Sequence, residues 1–576
     1  MVVISTLPPI ELPGTNIVEY VFSECRRLRD DDHVLFVDSS TDESLTIGQV
    51  RSMTWRFAAG LRNKCNIQAG DSVAIVARNS INFPLAAYGV VALGAVCTPA
   101  NPAYTASELA HQLGDSQCKA VIVGDGSQDT VAAALELVPQ HKVEHVLMMD
   151  EAKTLCRNSI YEIMDSEAAD EEILFKTGVS DMPAYLCYSS GTTGKPKGVE
   201  LTHRNMVANA MQINGLKQLD EPLASDSVAS KQGYETFLGL APFCHAYGLS
   251  YVLHSSVSLG GKIVIMPSYS FDKFLATVAA YRITFGYLVP PIVCALSKDP
   301  RVDAHDLSSM HTVLSGGAAL SPALIETTEE RLSGVRVVQG YGMTEMSPAI
   351  TMLSTCHRNP YSIGILLPNC EAKVVDDQNN EIDPTECGEL CFKGPNVMPR
   401  YLNNQTATDQ IFDSDGFLHT GDIGHTDAQG FFYITDRKKE IIKYKGFQVS
   451  PSELESILAE HPDVEDAAVM SVYDDNQATE IPRAYFVLAK QVVDDDARSA
   501  RSGDSGYMPG VVEDTVRAQA VVDWLHERVA RHKRLRGGFV LIDCIPRSPA
   551  GKIIRNSLRN MEHVTSRESS TVSSIL

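Results

Sequence analysis

The sequence is short of basic residues relative to acidic ones, and it lacks paired cysteine motifs. Its 49 Lys and Arg stand against 72 Asp and Glu, which gives a formal net charge of −23. A phosphate backbone is bound by a basic face, so we do not expect a nucleic acid partner. The 13 cysteines contain no CxxC pair, and Cys387 and Cys391 have no second pair or histidine cluster beside them. We therefore expect no zinc site and a reduced, intracellular protein.

Signals for export or membrane insertion are also missing. The first basic residue is Arg26, so the N-terminus has no charged region of a secretory signal, and we do not expect secretion. The longest uncharged run, 79–107, contains three prolines, which favours a buried helix and strand over a membrane span. The final residues 574–576 match the peroxisomal Ser-Lys-Leu signal only at their two ends, so the cytoplasm is the preferred compartment. The sequence does not predict an oligomeric state.

The composition is that of a folded protein with several domains. Hydrophobic residues make up 44% and charged residues 21% of the chain, values near the average for soluble folded proteins. A length of 576 residues exceeds what a single hydrophobic core usually spans, so we expect more than one domain.

Short β-branched runs alternate with helical stretches in the first two thirds of the chain. Segment 271–281 predicts a helix, because Phe271, Phe274, Leu275 and Val278 fall on one face. The alternation predicts an α/β fold with layered sheets. The predicted strands are 72–76, 120–123, 145–149, 184–188, 262–266, 312–314 and 336–338.

The pattern changes twice toward the C-terminus. From about residue 370, short strands and turns predict a β-rich subdomain, with strands at 371–375, 389–392 and 431–434. A small unit is predicted from residue 436, with strands at 467–472 and 483–488.

Helices of the small unit are indicated by their caps and periodicity. Ser450, Pro451 and Glu453 predict the N-cap, the first helical position and the capping-box glutamate of a helix that ends before His461. A second helix is indicated by the spacing of Ala518, Val521, Leu525 and Val529. Residues 494–509 and the tail after 561 lack apolar periodicity, so we expect an exposed insertion and a disordered tail.

The strongest motif is YSSGTTGKPKGV at 188–199, directly after a predicted strand. Its glycines permit close backbone approach, its hydroxyls donate hydrogen bonds, and Lys195 and Lys197 supply positive charge, a combination that suits a polyphosphate. It is not a Walker A loop, because Pro196 follows Gly194-Lys195 and residue 189 is a serine.

A second motif, QGYGMTE at 339–345, follows another predicted strand. Glycines on either side of Tyr341 would let its ring lie flat against a planar ligand. Glu345 offers a hard oxygen ligand for Mg²⁺.

Two further motifs contain charged residues beside glycine turns. In LHTGDIG, Asp422 can accept hydrogen bonds from ribose hydroxyls, with Arg437 in support. In PRSPAGKIIR, Lys552 lies on a glycine-containing turn near the C-terminus.

Taken in this order, the motifs resemble the adenylate-forming enzymes, which include acyl- and aryl-CoA ligases, peptide-synthetase adenylation domains and beetle luciferases. Six motifs are most similar to those of the 4-coumarate:CoA ligase-like group: APFCHAYGL, GYGMTE, GELCFKG, HTGDIG, KYKGFQV and PRSPAGKIIR. The resemblance covers about residues 20–560. It implies a large N-terminal AMP-binding domain, 1–435, and a small mobile α+β domain, 436–576, that rotates at a hinge near Lys439.

The resemblance implies three sets of site residues. Those around the nucleotide are Ser189, Ser190, Gly191, Thr192, Thr193, Gly194 and Lys197 at the phosphates, Gly317, Ala318, Tyr341, Gly342 and Thr344 at adenosine and the α-phosphate, and Asp422 and Arg437 at ribose. Those implied in catalysis and thiol attack are Thr193, Glu345 with Mg²⁺, Lys552 at the α-phosphate, and Lys443, Gly446 and Gln448. Those implied in acyl binding are His245, Tyr247, Gly248, Tyr251, Gly316, Gly317, Gly340, Met346 and Ser347.

Two segments depart from the family pattern. Pro399-Arg400 stands where relatives usually have a residue and then Gly before the tyrosine that here is Tyr401, and Phe417 stands where Trp is common. In the family neither segment touches the nucleotide, so the expected chemistry is unchanged.

The leading hypothesis is an ATP-, Mg²⁺- and CoA-dependent acid:CoA ligase that acts on an aryl, arylpropenoic or medium-chain carboxylic acid through an acyl-adenylate. One alternative is an adenylating enzyme that loads a carrier-protein thiol, and KYKGFQV favours free CoA over it. Another is a catalytically silent nucleotide-binding protein, against which Lys552, Glu345 and the phosphate loop argue.

Overall fold

The computed structural model describes most of the chain, and the structural statements below concern that part. It comprises residues 1–138, 143–150, 158–165, 180–189, 196–217, 227–318, 320–438, 440–445, 447–474, 477, 479–489, 509–548, 551–555 and 557–559. The chain divides into two compact units: one contains 1–317, 325–420 and 425–433, and the other contains 318–324, 421–424 and the residues from 434 onward. We predict that the residues after 435 form a domain that moves independently. A division into compact units does not test movement, so this boundary stays a prediction.

The fold is mixed α/β, as predicted. Its strands, in chain order, are β1 (Val3–Ile4), β2 (Val34–Asp38), β3 (Ser44–Thr46), β4 (Ser72–Val76), β5 (Val96–Ala100), β6 (Ala120–Val123), β7 (His145–Met148), β8 (Pro183–Ser189), β9 (Lys197–Thr202), β10 (Thr236–Gly239), β11 (Lys262–Ile265), β12 (Phe285–Leu288), β13 (Thr312–Ser315), β14 (Arg336–Gly342), β15 (Ala349–Met352), β16 (Ile365–Leu366), β17 (Glu371–Val375), β18 (Gly388–Lys393), β19 (Arg400–Tyr401), β20 (Leu418–Thr426), β21 (Phe432–Arg437), β22 (Ile442–Tyr444), β23 (Phe447–Val449), β24 (Val464–Asp474), β25 (Thr479–Leu488) and β26 (Phe539–Leu541).

The helices surround these strands. In chain order they are α1 (Ile17–Leu28), α2 (Ile47–Cys65), α3 (Asn82–Ala92), α4 (Ala106–Asp115), α5 (Gln128–Glu136), α6 (Ile160–Ile163), α7 (His203–Lys217), α8 (Val228–Gln232), α9 (Phe271–Tyr281), α10 (Pro290–Lys298), α11 (Pro322–Arg331), α12 (Gln405–Ile411), α13 (Pro451–Glu460) and α14 (Pro509–Arg528). A π-helix spans Gly248–Ser256, and short 3₁₀ helices span Pro300–Ala304, Thr344–Met346 and Arg531–Lys533. Within the described residues, no helix is both long enough and apolar enough to cross a membrane.

The largest sheet has nine strands in the order β16-β15-β14-β13-β12-β10-β11-β2-β3. Its six central strands are parallel, and β3, β15 and β16 add antiparallel strands at the edges. Parallel strands that carry helices on their faces are buried, and β12 and β13 are buried along their whole length. Because Ser315 pairs with Gln339, the glycines that follow them, Gly316 and Gly340, lie side by side at the carboxyl edge.

A second sheet has seven strands in the order β19-β9-β8-β5-β4-β6-β7. The strands β8 and β9 are antiparallel, and Ser189 at the end of β8 pairs with Lys197 at the start of β9. This register holds the two ends of the predicted phosphate loop as neighbours. A third sheet has the order β1-β17-β18-β20-β21, in the region where we predict a β-rich subdomain.

The second unit is built on β24, β25 and β26, with the hairpin β22-β23 beside them. Val469 of β24 belongs to a core with Leu454 of α13 and Leu525 of α14. Its neighbours Ala468 and Met470 belong to another cluster, which includes Leu558. Successive residues of a strand point to opposite faces, so β24 is covered on both faces.

Most predicted elements of the large unit are present. Helix α9 has the predicted bounds, and Ser270 caps it by accepting a hydrogen bond from the N–H of Lys273. All seven predicted strands of the α/β region are found. The strand predicted to end at residue 338 continues to Gly342, because its second half pairs with β15.

The predictions for the small unit are also largely confirmed. Helix α13 begins and ends as predicted, and Ser450 accepts a hydrogen bond from the N–H of Glu453. The carboxylate of Glu453 does not close a capping box, since it binds Lys533 Nζ at 2.6 Å. Pro509 begins α14, whereas residues 494–508 of the predicted insertion, and the predicted tail, lie outside the described residues.

Candidate active site

Glu345 is a buried carboxylate in the 3₁₀ helix that follows β14. Its Oε1 accepts hydrogen bonds from Ser189 Oγ at 3.0 Å and from the hydroxyl of Tyr401 at 2.7 Å. Its Oε2 accepts none from the residues that the structure describes. The carboxylate is therefore oriented through one oxygen, and the other oxygen can serve as a ligand.

Tyr401 is a site residue that the sequence analysis missed. Burial raises the pKa of Tyr401 far above its usual range, and the negative charge of Glu345 adds to this, so the phenol stays a hydrogen-bond donor. Lys197 Nζ lies 4.3 Å from the centroid of the Tyr401 ring, a cation–π distance. The segment before Tyr401 stood out in the sequence only as a departure from the family pattern.

The predicted phosphate loop is described only at its ends. Ser189 and Lys197 pair across the end of β8 and the start of β9, and Ser189 contacts Glu345. Ser190, Gly191, Thr192, Thr193 and Gly194 lie outside the described residues.

The predicted adenosine residues of the large unit lie at the end of β14 and after β13. Tyr341 is half-buried, with its ring centroid 6.1 Å from that of Phe392. Gly342 is required here, because a Cβ would lie 1.8 Å from the carbonyl oxygen of Pro348. Thr344 is half-buried in the 3₁₀ helix, and Gly317 is exposed with φ of 88°.

Four of the predicted acyl residues form one cluster. A Cβ on Gly340 would lie 3.1 Å from the hydroxyl of Tyr251, and a Cβ on Gly316 would lie 3.5 Å from the ring of Tyr247. The two tyrosine rings are in edge contact, 5.1 Å between centroids. Burial raises the pKa of both phenols well above the usual range. The cluster is thus two glycines with a neutral tyrosine packed against each of them.

The two tyrosine hydroxyls have different partners. That of Tyr247 donates to the carbonyl oxygen of Leu314 at 3.0 Å, whereas that of Tyr251 lies 3.9 Å from the thioether sulfur of Met352. Tyr287 of β12 packs against Tyr251 at 5.5 Å between ring centroids. Tyr287 was not among the predicted site residues, although its place in an apolar strand predicts burial.

The other predicted acyl residues have structural contacts. A Cβ on Gly248 would lie 2.2 Å from the carbonyl oxygen of Pro242, so this glycine permits close backbone packing. His245 Nδ1 accepts from the N–H of Tyr247 at 3.3 Å. Met346 is buried, and Ser347 is buried with φ of 72° and accepts at its carbonyl from Ser250 Oγ at 2.6 Å.

Within the second unit, the predicted ribose residues form an ion pair. Arg437 Nε lies 3.3 Å from Asp422 Oδ1, and Asp422 is buried. Ala318 of the same unit is half-buried. The assignment of this pair to ribose stays a prediction.

Two further predicted residues of the second unit, Lys552 and Lys443, lie on hairpins. The N–H of Ser548 donates to the carbonyl oxygen of Lys552 at 2.7 Å, and the N–H of Lys552 donates back to Ser548 Oγ at 3.2 Å. Lys443 is exposed, and its N–H donates to Glu480 at 2.7 Å. Gly446, Lys439 and the side chain of Gln448 lie outside the described residues.

Two curated relatives are similar over nearly their whole length. A probable 4-coumarate–CoA ligase 1 of Dictyostelium discoideum is 33% identical, with 96% of this chain and 97% of the relative covered. The 4-coumarate–CoA ligase 1 of Petroselinum crispum is 35% identical, with 96% of each chain covered.

A solved structure shares the fold. It is that of an anthranilate CoA ligase in complex with anthranoyl-AMP, with a TM-score of 0.80, 22% identity, and 96% of this chain and 98% of that chain covered.

Two family models match successive parts of the chain. The model of the AMP-binding enzyme family matches residues 23–402, which include Tyr247, Tyr251, Glu345 and Tyr401. The model of the AMP-binding enzyme C-terminal domain matches residues 453–552, which end at Lys552. The chain therefore belongs to the AMP-binding enzyme family.

Proposed function

We propose that the protein is an AMP-forming acid:CoA ligase, which uses ATP to make an acyl-adenylate and then transfers the acyl group to the thiol of CoA. The family, and relatives that are named CoA ligases, support this function. The observation that carries it is the buried carboxylate of Glu345, held by Ser189 at the entrance of the predicted phosphate loop.

The residues fit the Mg²⁺ ion that this chemistry uses. The described residues include no group of three or more His, Cys, Asp or Glu that could hold a metal ion. Glu345 nevertheless offers Oε2, and Mg²⁺ usually binds through one or two carboxylates together with phosphates and water. Glu345 would therefore hold an ion that arrives with the nucleotide, where the ion neutralises phosphate charge.

Nucleotide binding is assigned to the residues that the family resemblance implies. Ser189, Thr193 and Lys197 would contact the phosphates, and Tyr341 would stack on adenine. The Asp422–Arg437 pair would bind ribose, since a carboxylate held by a guanidinium remains ionised and accepts hydrogen bonds.

The two chemical steps are assigned to residues of the C-terminal domain. Lys552 would place positive charge where negative charge builds on the α-phosphate. Lys443, Gly446 and Gln448 would complete the site for thiol attack. We also propose that the protein acts in the cytoplasm, a location that fits its lack of paired cysteine motifs.

The acid is proposed to be an aryl, arylpropenoic or medium-chain carboxylic acid. Gly316 and Gly340 have no side chains to obstruct a planar or slender group, and Tyr251 lies against Gly340. Replacing Tyr251→Ala removes the tyrosine ring, so kcat/KM should move toward bulkier or longer acids by about 10-fold or more, with the apparent affinity for ATP nearly unchanged.

Tyr251→Phe is the matched control for size. It keeps the ring and removes the hydroxyl, so any effect that it shares with Tyr251→Ala belongs to the hydroxyl. An unchanged substrate profile in both variants would remove Tyr251 from the acyl site.

The proposed function is tested with a panel of these acids, scored by AMP and pyrophosphate release with and without CoA. We expect turnover only with ATP, Mg²⁺ and CoA, and an acyl-CoA product. ADP and orthophosphate as products would contradict the mechanism, because they indicate attack at the γ-phosphorus. Acid-dependent pyrophosphate exchange without any CoA product would instead favour a carrier-protein acceptor.

A further inference from the structure

The segment that presents Lys552 is a short hairpin. Arg547 and Ile553 form an antiparallel bridge, and the N–H of Ile554 donates to the carbonyl oxygen of Pro546 at 2.8 Å. Gly551 has φ of 82°, a conformation that favours glycine, at the residue before Lys552. Ile545, just before the hairpin, is buried in the cluster with Met470 and Leu558, and Ile553 packs against that cluster. Two arginines add polar contacts at the two ends of the hairpin.

Arg547 holds the first end. Its Nε and Nη2 contact the two carboxylate oxygens of Asp466 at 3.0 and 2.6 Å, a bidentate pair with β24. Its Nη1 donates to the carbonyl oxygen of Gly551 at 2.8 Å, across the hairpin. Bidentate pairs of this kind fix direction as well as position.

Arg555 holds the other end through three elements. Its Nη2 contacts Glu455 of α13 at 2.7 Å, and its Nη1 contacts Glu440 at 3.0 Å. Its Nε donates to the carbonyl oxygen of Val469 in β24 at 3.3 Å. Glu440 directly follows the predicted hinge position, so this guanidinium joins the hairpin to the hinge segment.

Arg555 is a cation that two largely buried carboxylates share. Its side chain is 15% exposed, and those of Glu440 and Glu455 are 18% and 16% exposed. Burial raises the pKa of Glu455 to about 7, and Arg555 acts in the opposite direction. Burial also raises the pKa of Asp436, which adjoins the same group. Losing the guanidinium would leave carboxylates facing one another without compensation.

We propose that Arg555 is a positioning residue, which fixes the direction of the Lys552 hairpin by tying it to Glu440 and Glu455. The inference rests on the proposed function, in which Lys552 acts in adenylation. Arg555 acts through Lys552 and does not touch the substrate.

The test compares Arg555→Gln with Arg517→Gln. Arg517 is the matched control, because its side chain is also 15% exposed and it pairs with Asp463 at 3.0 Å in the same unit, away from the hairpin. A displacement of about 1 Å at a reacting group costs on the order of 100-fold. Arg555→Gln should therefore lower kcat of pyrophosphate exchange by about 10- to 100-fold, with CoA-dependent turnover of supplied acyl-AMP within about 3-fold.

Combination with Lys552→Ala separates positioning from general damage. If Arg555 acts through Lys552, adding Arg555→Gln to Lys552→Ala should give no further loss of adenylation, since effects through one group are not additive. Arg517→Gln should leave both steps near the parent rates.

Two milder variants keep the test decisive if Arg555→Gln does not fold. Arg555→Lys keeps the charge but cannot reach both carboxylates, and Glu440→Gln removes the charge at the hinge segment. Both should slow adenylation selectively, by less than Arg555→Gln.

The outcomes that overturn the proposal are specific. They are equal loss of both steps in the Arg555 variants, a similar loss in Arg517→Gln, or a full additional loss in the Lys552→Ala background. Unchanged adenylation in Lys552→Ala alone would contradict the proposed function itself, and the inference would then fail with it.

Discussion

At the scale of single residues, the hydroxyls of Ser189 and Tyr401 orient the carboxylate assigned to Mg²⁺, and the bond from Tyr401 is the shorter. Tyr401 donates to Glu345 Oε1, which leaves Oε2 for the ion. Tyr401→Phe removes that hydrogen bond and keeps the ring beside Lys197. Partners that orient a metal ligand typically affect affinity or activity about 10- to 100-fold. The Mg²⁺ concentration for half-maximal adenylation should therefore rise by about 10-fold, measured by pyrophosphate exchange against added MgCl₂.

Tyr433→Phe is the control for that change. Tyr433 donates to Asp427 Oδ2 at 2.7 Å, the same kind of bond as that between Tyr401 and Glu345. Its loss should leave the Mg²⁺ dependence unchanged. A Mg²⁺ dependence that is unaltered in Tyr401→Phe, or altered equally in both variants, would contradict the assignment of Tyr401.

Site residues were predictable from the sequence when a local motif contains them. Ser189 and Glu345 were each predicted from their own motif, and the fold brings them within 3.0 Å. Tyr401 was not predicted, because its contact with Glu345 spans 56 residues of chain and depends on β19 pairing with β9. Glu453 was predicted to cap its own helix, but the ammonium of Lys533 is a stronger partner than a neutral N–H.

At the scale of elements, a buried histidine joins α1 to α7. The N–H of Ile17, the first residue of α1, donates to His203 Nδ1 at 3.2 Å, at the start of α7. Nδ1 must be unprotonated to accept this bond. Burial lowers the pKa of His203 from 6.5 to about 4. This contact therefore requires the neutral imidazole.

Acid should weaken the fold through this contact. Between pH 6.5 and 4 the unfolded chain binds the proton that folded His203 does not, so stability falls as pH falls through this range. One pKa unit corresponds to about 1.4 kcal/mol, so His203 should account for about 2 kcal/mol between pH 6.5 and 5. His203→Asn keeps an acceptor that does not titrate. Its melting temperature should fall less than that of the parent between pH 7.5 and 5.

His254 supplies the internal comparison. Burial also lowers its pKa, to about 3, so it contributes in the same direction and persists in the variant. The pH dependence of His203→Asn should therefore be reduced and not abolished. An equal fall in melting temperature in variant and parent would show that His203 does not contribute.

Helices and strands with a clear hydrophobic period were predictable from the sequence, whereas a helix buried on every side was not. Helix α9 has one buried face and an N-cap, so its bounds follow from the sequence. All nine residues of the π-helix Gly248–Ser256 are buried. An element buried on every side has no polar face to set a period, and its sequence cannot distinguish a helix from a strand.

At the scale of the whole molecule, the order of the motifs along the chain predicted more of the candidate site than any single helix or strand did. The phosphate loop, Glu345, Asp422 and Lys552 were predicted as one set from a resemblance along the chain. The fold explains part of that order, because β8 and β9 hold the loop ends and β14 leads into Glu345. What holds Lys552 was not predictable, since Arg547 and Arg555 find their partners 81 and 100 residues away.

The final prediction separates the two half-reactions by residue. The family resemblance predicts that Lys552 and the segment from Lys443 to Gln448 serve the site in turn, from opposite faces of the small domain. Lys552→Ala should lower adenylation by about 10²–10³-fold, the loss seen when one donor to a developing charge is removed. Thioester formation from supplied acyl-AMP should survive. Lys439→Pro fixes φ near −65° at the predicted hinge, so it should spare adenylation and slow thiol attack.

Lys443→Ala tests the same division without touching the hinge. Lys443 is exposed and its backbone is held by Glu480 and Thr479, so truncation of its side chain should not disturb the hairpin. It should therefore resemble Lys439→Pro more than Lys552→Ala. Pyrophosphate exchange measures the first step, and CoA-dependent turnover of preformed acyl-AMP measures the second. Equal loss of both activities in all three variants would mean that one arrangement of the small domain serves both steps, and the rotation would then be unnecessary.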